Sequence, residues 1–154
     1  MIKDSGERRE FDTGAVRDIQ EGKGRCDLLP LRVVCGYIGD AHSLCAISLF
    51  QETGDPKHLY TALELSGFFP SVYTAILEVS IHFEEGAKKY GEHNWQKGIP
   101  VHCYIDSAVR HYIKHRRGDV DEAHHRAYFW NILAAIWTCH NKPELNDYDK
   151  GATT

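Results

Sequence analysis

One predicted helix, starting after Ser71 and ending near Tyr90, constrains this chain most. At about 100° per residue, four polar residues share one face of it: Glu78, His82, Glu85 and Lys89. A neighbouring stripe is apolar and is predicted to face the core. It consists of Val72, Ala75, Ile76, Val79, Phe83 and Ala87. Two carboxylates, a histidine and a lysine beside a core face are suited to hold a metal ion and a phosphate group.

Two further helices are predicted towards the C-terminus. One spans about Tyr104 to Arg117 and carries Arg110 at its middle. A guanidinium there is a better candidate for a phosphate contact than the basic residues at the helix end, which oppose the helix dipole. The other is predicted to be capped by Asp119 or Asp121 and to end near Cys139.

The last predicted helix is apolar nearly all round beyond Tyr128, so we expect it to be central and buried. Asn131 lies within this apolar segment and must be hydrogen-bonded, because an unpaired buried amide is costly. Asp121, His124 and Asn131 fall on one helix face. That shared face singles out His124 among ten histidines, most of which need no functional explanation.

The remaining segments are predicted with less regular structure. Residues 1–30 are polar and rich in glycine, which predicts an irregular arm, either solvated or folded over a ligand. Residues 31–50 and 58–66 have short apolar patterns typical of helices, although a strand over residues 31–38 is also compatible with its pattern. Residues 51–57 are predicted as a loop, and residues 140–154 as a loose polar tail beyond a single domain over residues 1–139.

Composition excludes several classes of protein. The chain is 42% hydrophobic and 26% charged, which is typical of a soluble globular domain. Its net charge of -4 counts against nucleic acid as a partner. No apolar run has the length of a membrane span, and no secretory signal is visible. Five cysteines without a CxxC pair are expected to be reduced thiols of a cytoplasmic protein.

The carboxylates that could bind a metal ion come from three predicted helices. These helices would be neighbours in a small bundle, and carboxylate metal sites are assembled between the helices of such bundles. Oxygen ligands favour Mg²⁺ or Mn²⁺ over zinc. Lys89 and Arg110 would suit phosphate oxygens, while Asn94 and Trp95 lie in a predicted loop where they can meet a ligand. The pattern indicates metal-assisted attack on a nucleotide phosphate; a helical bundle with surface salt bridges is the alternative.

Four blocks of sequence, in order, carry a resemblance to a known family. They are DSGERREFDTGAVRDIQEGKGRCDLLPL at Asp4–Leu31, GAKKYGEHNWQKG at Gly86–Gly98, DSAVRH at Asp106–His111 and DEAHHRAYFWN at Asp121–Asn131. Together they resemble the phage dATP/dGTP diphosphohydrolases, a branch of the all-α NTP pyrophosphohydrolases related to MazG. The compact MazG signature EExxE…ExxD is not present as such.

The resemblance implies an all-α, MazG-like helical bundle that cleaves a purine dNTP to dNMP and pyrophosphate with Mg²⁺ or Mn²⁺. It implies that the metals are held by Glu78, Glu85, Asp121 and Glu122. Catalysis is expected to involve Glu78, Glu85, Asp121 and His124. Substrate contacts are expected from Arg17, Lys23, Arg25, Lys89, Asn94, Trp95, Arg110 and Asn131.

The resemblance also implies a biological setting. Relatives are typically dimers or tetramers, so a homo-oligomer in a host-cell cytoplasm is expected. Some phage enzymes of this type act on dGTP and feed dGMP towards 2-aminoadenine DNA. The motifs leave the choice between dGTP and dATP open.

Two rival functions remain at this point. One is a non-catalytic module that binds nucleic acid or nucleotides through the basic arm and residues 112–118. The other is a histidine-rich phosphohydrolase that releases triphosphate. That enzyme would need several histidines to converge, and the sequence spacing pairs only His111 with His115.

Overall fold

The computed structural model describes residues 4–150, which form six α-helices and one two-stranded antiparallel sheet. The helices are α1 (Leu31–Ile38), α2 (His42–Thr53), α3 (Lys57–Leu65), α4 (Val72–Tyr90), α5 (Val101–Arg117) and α6 (His124–Asn141). The strands are β1 (Arg8–Glu10) and β2 (Val16–Asp18). Short 3₁₀ turns lie at Cys26–Leu28, Asn94–Lys97 and Pro143–Leu145. The predicted all-α class is confirmed.

Helix α6 is the centre of the bundle, as its all-round apolar sequence predicts. It packs along α5 and also contacts α3 and α4. Tyr104 and Ile105 of α5 and Tyr128 and Ile132 of α6 are fully buried in this core. Helices α2 and α3 pack on each other, and α3 also contacts α6. The buried apolar residues therefore form one continuous cluster.

Helix α4 begins as predicted, because the Ser71 Oγ accepts the backbone N–H of Thr74 at 3.1 Å. Its predicted core face is only partly correct. Ala75 and Val79 are buried, whereas Val72 is 67% and Ile76 63% exposed. The reason is that α4 packs chiefly against one helix, α6, which covers a narrower stripe than the apolar residues occupy.

Several helix ends differ from the sequence prediction. The segment 31–38 is helical rather than extended. Helix α2 continues to Thr53, which leaves only residues 54–56 of the predicted loop. Helix α5 begins at Val101 behind Pro100, a residue tolerated at helix starts because its missing N–H would be unpaired there.

The predicted cap of α6 by Asp119 or Asp121 is wrong, since Ala123 occupies that position without a side-chain cap. Both carboxylates have other partners. Asp119 accepts two hydrogen bonds from Arg117, and Asp121 contacts the ring of His124 at 2.7 Å.

The N-terminal arm is ordered against the helices. Strands β1 and β2 pair in register from Arg8 opposite Asp18 to Glu10 opposite Val16. Ala15, between the strands, is fully buried. The arm is therefore folded over the bundle rather than fully solvated, and its closure over a ligand stays a prediction.

Residues 142–149, for which the sequence predicts a loose tail, lie packed against the bundle. The Asn146 Nδ2 donates to the carbonyl of Gly54 at 2.9 Å, and the ring of Tyr148 meets that of Phe50 at 5.3 Å. None of the helices in residues 4–150 combines the length and the apolarity that crossing a membrane requires. All five cysteines are free thiols.

Candidate functional site

A cavity of about 830 Å³ lies between the arm, α4, the loop after α4, α5 and α6. Its volume is in the range of pockets that take small-molecule ligands and cofactors. Basic side chains reach it from both the arm and the helices. They are Arg9, Arg17, Lys23, Lys89, Arg110 and Lys114. Five acidic side chains also line it, namely Asp4, Asp18, Glu92, Asp106 and Glu122, so the cavity presents charges of both signs.

Arg17 on β2 reaches furthest into the bundle. Its Nη2 donates to Ser107 Oγ at 2.9 Å and to Asn131 Oδ1 at 3.2 Å. The guanidinium carbon lies 5.1 Å from the ring centre of Tyr104 and 5.9 Å from that of Trp130. Its Nη1 is buried and has no hydrogen-bond partner within residues 4–150. An unpaired buried donor is costly, so this nitrogen is positioned to meet an acceptor on a ligand.

The two predicted lysines also line the cavity. The Nζ of Lys23 pairs with Asp18 at 2.8 Å. The Nζ of Lys89 lies 3.8 Å from Asp4 and 5.1 Å from the ring centre of Tyr90. Both ammonium groups are thus next to the arm. Arg25 makes a bidentate pair with Asp27 and is not among the residues that line the cavity.

Arg110 anchors the arm. Its Nη2 donates to both carboxylate oxygens of Asp106 at 2.7 Å and to the carbonyl of Gly24 at 2.6 Å. Asp106 in turn accepts the backbone N–H of Cys26 at 2.6 Å. This buried ion pair fixes residues 23–26 against α5. The predicted phosphate contact of Arg110 stays a prediction, and these bonds show a positioning role beside it.

The two amides predicted to orient a nucleotide line the cavity and also make hydrogen bonds within the protein. Asn94 binds Val16 like a neighbouring strand, accepting its N–H at 2.9 Å and donating to its carbonyl at 2.8 Å. Asn131 is buried and donates to the carbonyl of Ala127 at 2.9 Å, so the prediction that it is hydrogen-bonded is confirmed. Trp95 lines the cavity while its ring packs on Trp137 at 5.0 Å.

Imidazole and carboxylate groups converge where α5 meets the start of α6. The Nδ1 atoms of His111 and His124 lie 2.9 Å apart, and His124 Nε2 lies 2.7 Å from Asp121 Oδ1. His124 is only 1% exposed. Burial lowers the pKa of His111 well below its ordinary value, so this ring is neutral at neutral pH.

Two groups of side chains in residues 4–150 bring potential metal-binding atoms within 4.8 Å of one another. One is His111, Glu122 and His124; the other is Asp119, Asp121 and His124. The predicted ligands Asp121 and Glu122 thus each fall in a group with His124. The predicted ligands Glu78 and Glu85 fall in neither group.

The polar residues that share one face of α4 lie in two different environments. Glu78 pairs with Arg126 of α6 at 2.7 Å, and neither it nor Glu85 lines the cavity. His82 and Lys89 do line it. The ring of His82 lies 5.3 Å from that of Trp130, and burial lowers its pKa to about 3. His82 is therefore a neutral group at neutral pH.

Sequence reasoning did not single out His111 or Ser107 as site residues. Both belong to the block DSAVRH, which sequence analysis identifies by resemblance, so a signal was present. Their partners, His124 and Arg17, come from distant segments, and single-chain periodicity does not show such contacts.

These features define a helical-bundle protein with a charged cavity of ligand size and an adjoining imidazole–carboxylate cluster. Comparison with protein-family models assigns the chain to a particular family. Residues 51–148 match the family described as dATP/dGTP diphosphohydrolase, N-terminal. Because the match covers more than half of the chain, the protein belongs to this family. No curated protein matches the chain, and no solved structure does.

The matched range contains α3 to α6 and the packed residues after α6, up to residue 148. It includes the imidazole–carboxylate cluster. The arm lies before it, although the arm supplies Arg17 and Lys23 to the cavity. The predicted contribution of the arm to the site therefore rests on the geometry and the sequence blocks. The family match does not extend to the arm.

Proposed function

We propose that this protein hydrolyses the purine deoxynucleoside triphosphates dGTP and dATP, which the family description names, to the monophosphate and pyrophosphate. The observation that carries the proposal is the cavity itself. It brings basic side chains from the arm and the helices together with His111 and Glu122 of the imidazole–carboxylate cluster. A triphosphate needs both cations for its charge and a metal-binding group near the reacting phosphorus.

The residues present fit a divalent metal ion. Imidazole nitrogens and carboxylate oxygens are both metal donors, and Asp121, Glu122 and His124 stand together with His111. Mg²⁺ or Mn²⁺ is proposed, with Glu78 and Glu85 kept as proposed ligands from the resemblance. When bound, such an ion supplies Lewis acidity that polarises a phosphoryl oxygen.

The chain's own residues bind and orient the substrate in this proposal. Arg17, Lys23 and Lys89 neutralise the phosphates from the arm side, with the unpaired Nη1 of Arg17 as a donor. The rings of Trp95 and Trp130 border the same cavity and offer apolar surface to the nucleoside. His124, hydrogen-bonded to Asp121, is proposed to act in catalysis as a residue that holds the ion.

One panel of reactions tests the activity. The purified chain is incubated with each common dNTP and NTP, with Mg²⁺ or Mn²⁺, and the products are separated. Monophosphate and pyrophosphate from dGTP or dATP are expected. No turnover of any nucleotide would contradict the proposal and favour the binding module.

A second candidate deserves the same panel because of one observation. The histidine-rich phosphohydrolase requires converging histidines, and His111 and His124 do converge. The family description favours cleavage to pyrophosphate. Nucleoside and triphosphate as products would decide for the rival.

The proposal extends to the cellular setting. The product dGMP would feed synthesis of 2-aminoadenine DNA in the cytoplasm of a phage host, a role supported only by the resemblance. A homo-oligomer, dimer or tetramer, is also proposed. Its support is one face of α4 whose apolar side chains are exposed: Val72, Tyr73, Ile76, Leu77 and Ile81.

A further inference from the structure

The contact between His111 and His124 has the geometry of two ligands of one ion. Their Nδ1 atoms face each other at 2.9 Å. Two nitrogens bound at right angles to one ion, with bonds of about 2.1 Å, lie about 3 Å apart. The spacing of the two nitrogens therefore matches that of two ligands of one ion, which would lie to one side of the line between them.

The second nitrogen of His124 is held as metal-bound histidines usually are. Its Nε2 lies 2.7 Å from the carboxylate of Asp121. A carboxylate there accepts an N–H from Nε2, which leaves the Nδ1 of His124 with a lone pair for an ion. Such a carboxylate–histidine pair fixes the ring and makes the other nitrogen a better ligand.

Glu122 completes the group on the cavity side. One of its oxygens lies within 4.8 Å of the ligand nitrogens of His111 and His124. His111 and Glu122 both line the cavity, so an ion at this point would be open to a ligand there. The other group is less suitable, because Asp119 is already paired with Arg117.

We propose that His111, His124 and Glu122 form a site for a divalent first-row transition ion, Mn²⁺ or a heavier one, which is preferred over Mg²⁺. Asp121 is the positioning residue behind His124. Mg²⁺ favours oxygen ligands and retains its waters, whereas imidazole nitrogen favours transition ions. This names the ion of the proposed function and rests on that function only for the ion's role.

Metal binding without nucleotide tests the site. The full chain is stripped of metal and titrated calorimetrically with Mn²⁺ and with Mg²⁺, and spectroscopically with Co²⁺, whose visible bands report imidazole ligation. Mn²⁺ is expected to bind at least about tenfold more tightly than Mg²⁺. Equal affinities, or Co²⁺ bands unchanged in His111→Asn, would overturn the proposal.

Variants locate the ion. His111→Asn and Glu122→Gln are each expected to weaken Mn²⁺ binding at least about tenfold, and Asp121→Asn about 10- to 100-fold. Glu122→Gln removes a charge from a loop and keeps the test valid if His111→Asn does not fold. Unchanged binding in Glu122→Gln would also overturn the assignment.

His115→Asn is the matched control. His115 lies one turn beyond His111 on α5, and its ring stands 5.2 Å from that of His125 on α6. The pair of His111 and His124 has a similar ring distance of 5.1 Å. Unchanged Mn²⁺ affinity is expected for His115→Asn, and a loss equal to that in His111→Asn would contradict the site.

The two proposals fail separately. Tight Mn²⁺ binding without hydrolysis of any dNTP would leave this site standing and remove the proposed function. Hydrolysis of a dNTP with Mg²⁺, by a chain that binds Mn²⁺ no more tightly than Mg²⁺, would support the proposed function and contradict this metal site.

Discussion

The guanidinium of Arg17 joins the arm to the core and leaves one buried donor unpaired within the described part of the chain. We propose that the missing partner of this donor is an acceptor on the substrate. Hydrogen bonds that involve a charged group contribute about 1.5–3 kcal/mol, a difference that corresponds to about 10- to 100-fold in kcat/KM.

Arg17→Gln is therefore expected to lower kcat/KM for the best dNTP by about 10- to 100-fold. Arg32→Gln is the control, since Arg32 loses the same charge but pairs with Glu52 on the surface. Steady-state kinetics of both variants provide the measurement. A change below about twofold in Arg17→Gln would remove Arg17 from the substrate contacts.

Two glycines that end helices allow a matched test of the packing of residues 148 and 149. Gly39 ends α1 and Gly54 ends α2, each with a positive φ, 81° and 70°. A Cβ at Gly39 would meet nothing within 4 Å, whereas at Gly54 it would lie 2.6 Å from the Asp149 Cα and the Tyr148 carbonyl oxygen. Those atoms are backbone and cannot turn away as a side chain can.

Gly54→Ala is expected to lower the free energy of unfolding by about 1–3 kcal/mol more than Gly39→Ala. Both variants carry the strain of a left-handed alanine, so their difference isolates the clash. Urea unfolding measures it. Equal losses would show that residues 148 and 149 do not pack on Gly54 in solution.

At the scale of elements, the hairpin of β1 and β2 is held to the helices by single side chains. Asn94 alone satisfies both the N–H and the carbonyl of Val16. Removing it leaves two backbone groups of a partly buried strand without those partners, each at a cost of about 1–3 kcal/mol if water cannot replace it.

We expect Asn94→Ala to speed hydrogen exchange at Val16 and Arg17 and to reduce activity, because Arg17 sits on the released strand. Asn141→Ala is the control. Asn141 is exposed and donates only within its own helix, to the Trp137 carbonyl. Native-state exchange followed by mass spectrometry distinguishes the two variants, and equal protection of the hairpin in both would contradict the role of Asn94.

A second element contact, between the start of α5 and the segment after α6, depends on pH. The hydrogen bond to the Asp147 carboxylate raises the pKa of His102 to about 10, above an ordinary value of about 6.5. Stability from this pair is fully present below about pH 6.5 and is lost as the pH rises through about 10. Because the pair is partly exposed, solvent screens it, and its contribution is smaller than the full pKa shift would give.

Asp147→Asn keeps a side-chain oxygen for the backbone N–H of His102, which donates to Asp147 at 3.0 Å, but removes the charge. Wild type is thus expected to exceed Asp147→Asn in stability at pH 6, with the difference vanishing near pH 10. Urea unfolding at pH 6, 8 and 10 measures this. A difference that grows with pH would have the wrong sign for this pair.

Helical periodicity and a serine cap were enough to predict α4, α5 and α6 and the burial of Asn131. Contacts between segments distant in sequence were not predictable in the same way. The Asp106–Arg110 pair lies four residues apart on one helix, yet its burial under residues 23–26 depends on the arm. Likewise His111 and His124 are each ordinary on their own helix, and only the packing of α5 on α6 makes them a site.

At the scale of the whole molecule, the exposed apolar face of α4 is another feature that the sequence predicts only in part. An apolar stripe indicates burial but not what covers it. Val72, Tyr73, Ile76 and Leu77 recur on one side of the helix, and Leu77 is 70% exposed. Exposed apolar side chains are ordinarily scattered, and a contiguous group marks an interaction surface. A second copy of the chain, with the same face, is the proposed cover.

Leu77→Glu is therefore expected to convert an oligomer into a monomer, since two or more buried carboxylates would face each other across a symmetric contact. Val33→Glu is the control, because Val33 is similarly exposed, 69%, on α1 and outside the α4 face. Light scattering after size exclusion gives the mass of each. A wild-type chain that is monomeric at micromolar concentration would contradict the proposed contact. Dissociation of the oligomer by Val33→Glu but not by Leu77→Glu would place the contact on α1 instead. The α4 residues that line the cavity lie in the second half of the helix, from His82 to Tyr90, beyond the exposed apolar residues. A monomeric Leu77→Glu that remains active would therefore show that each chain carries a complete site.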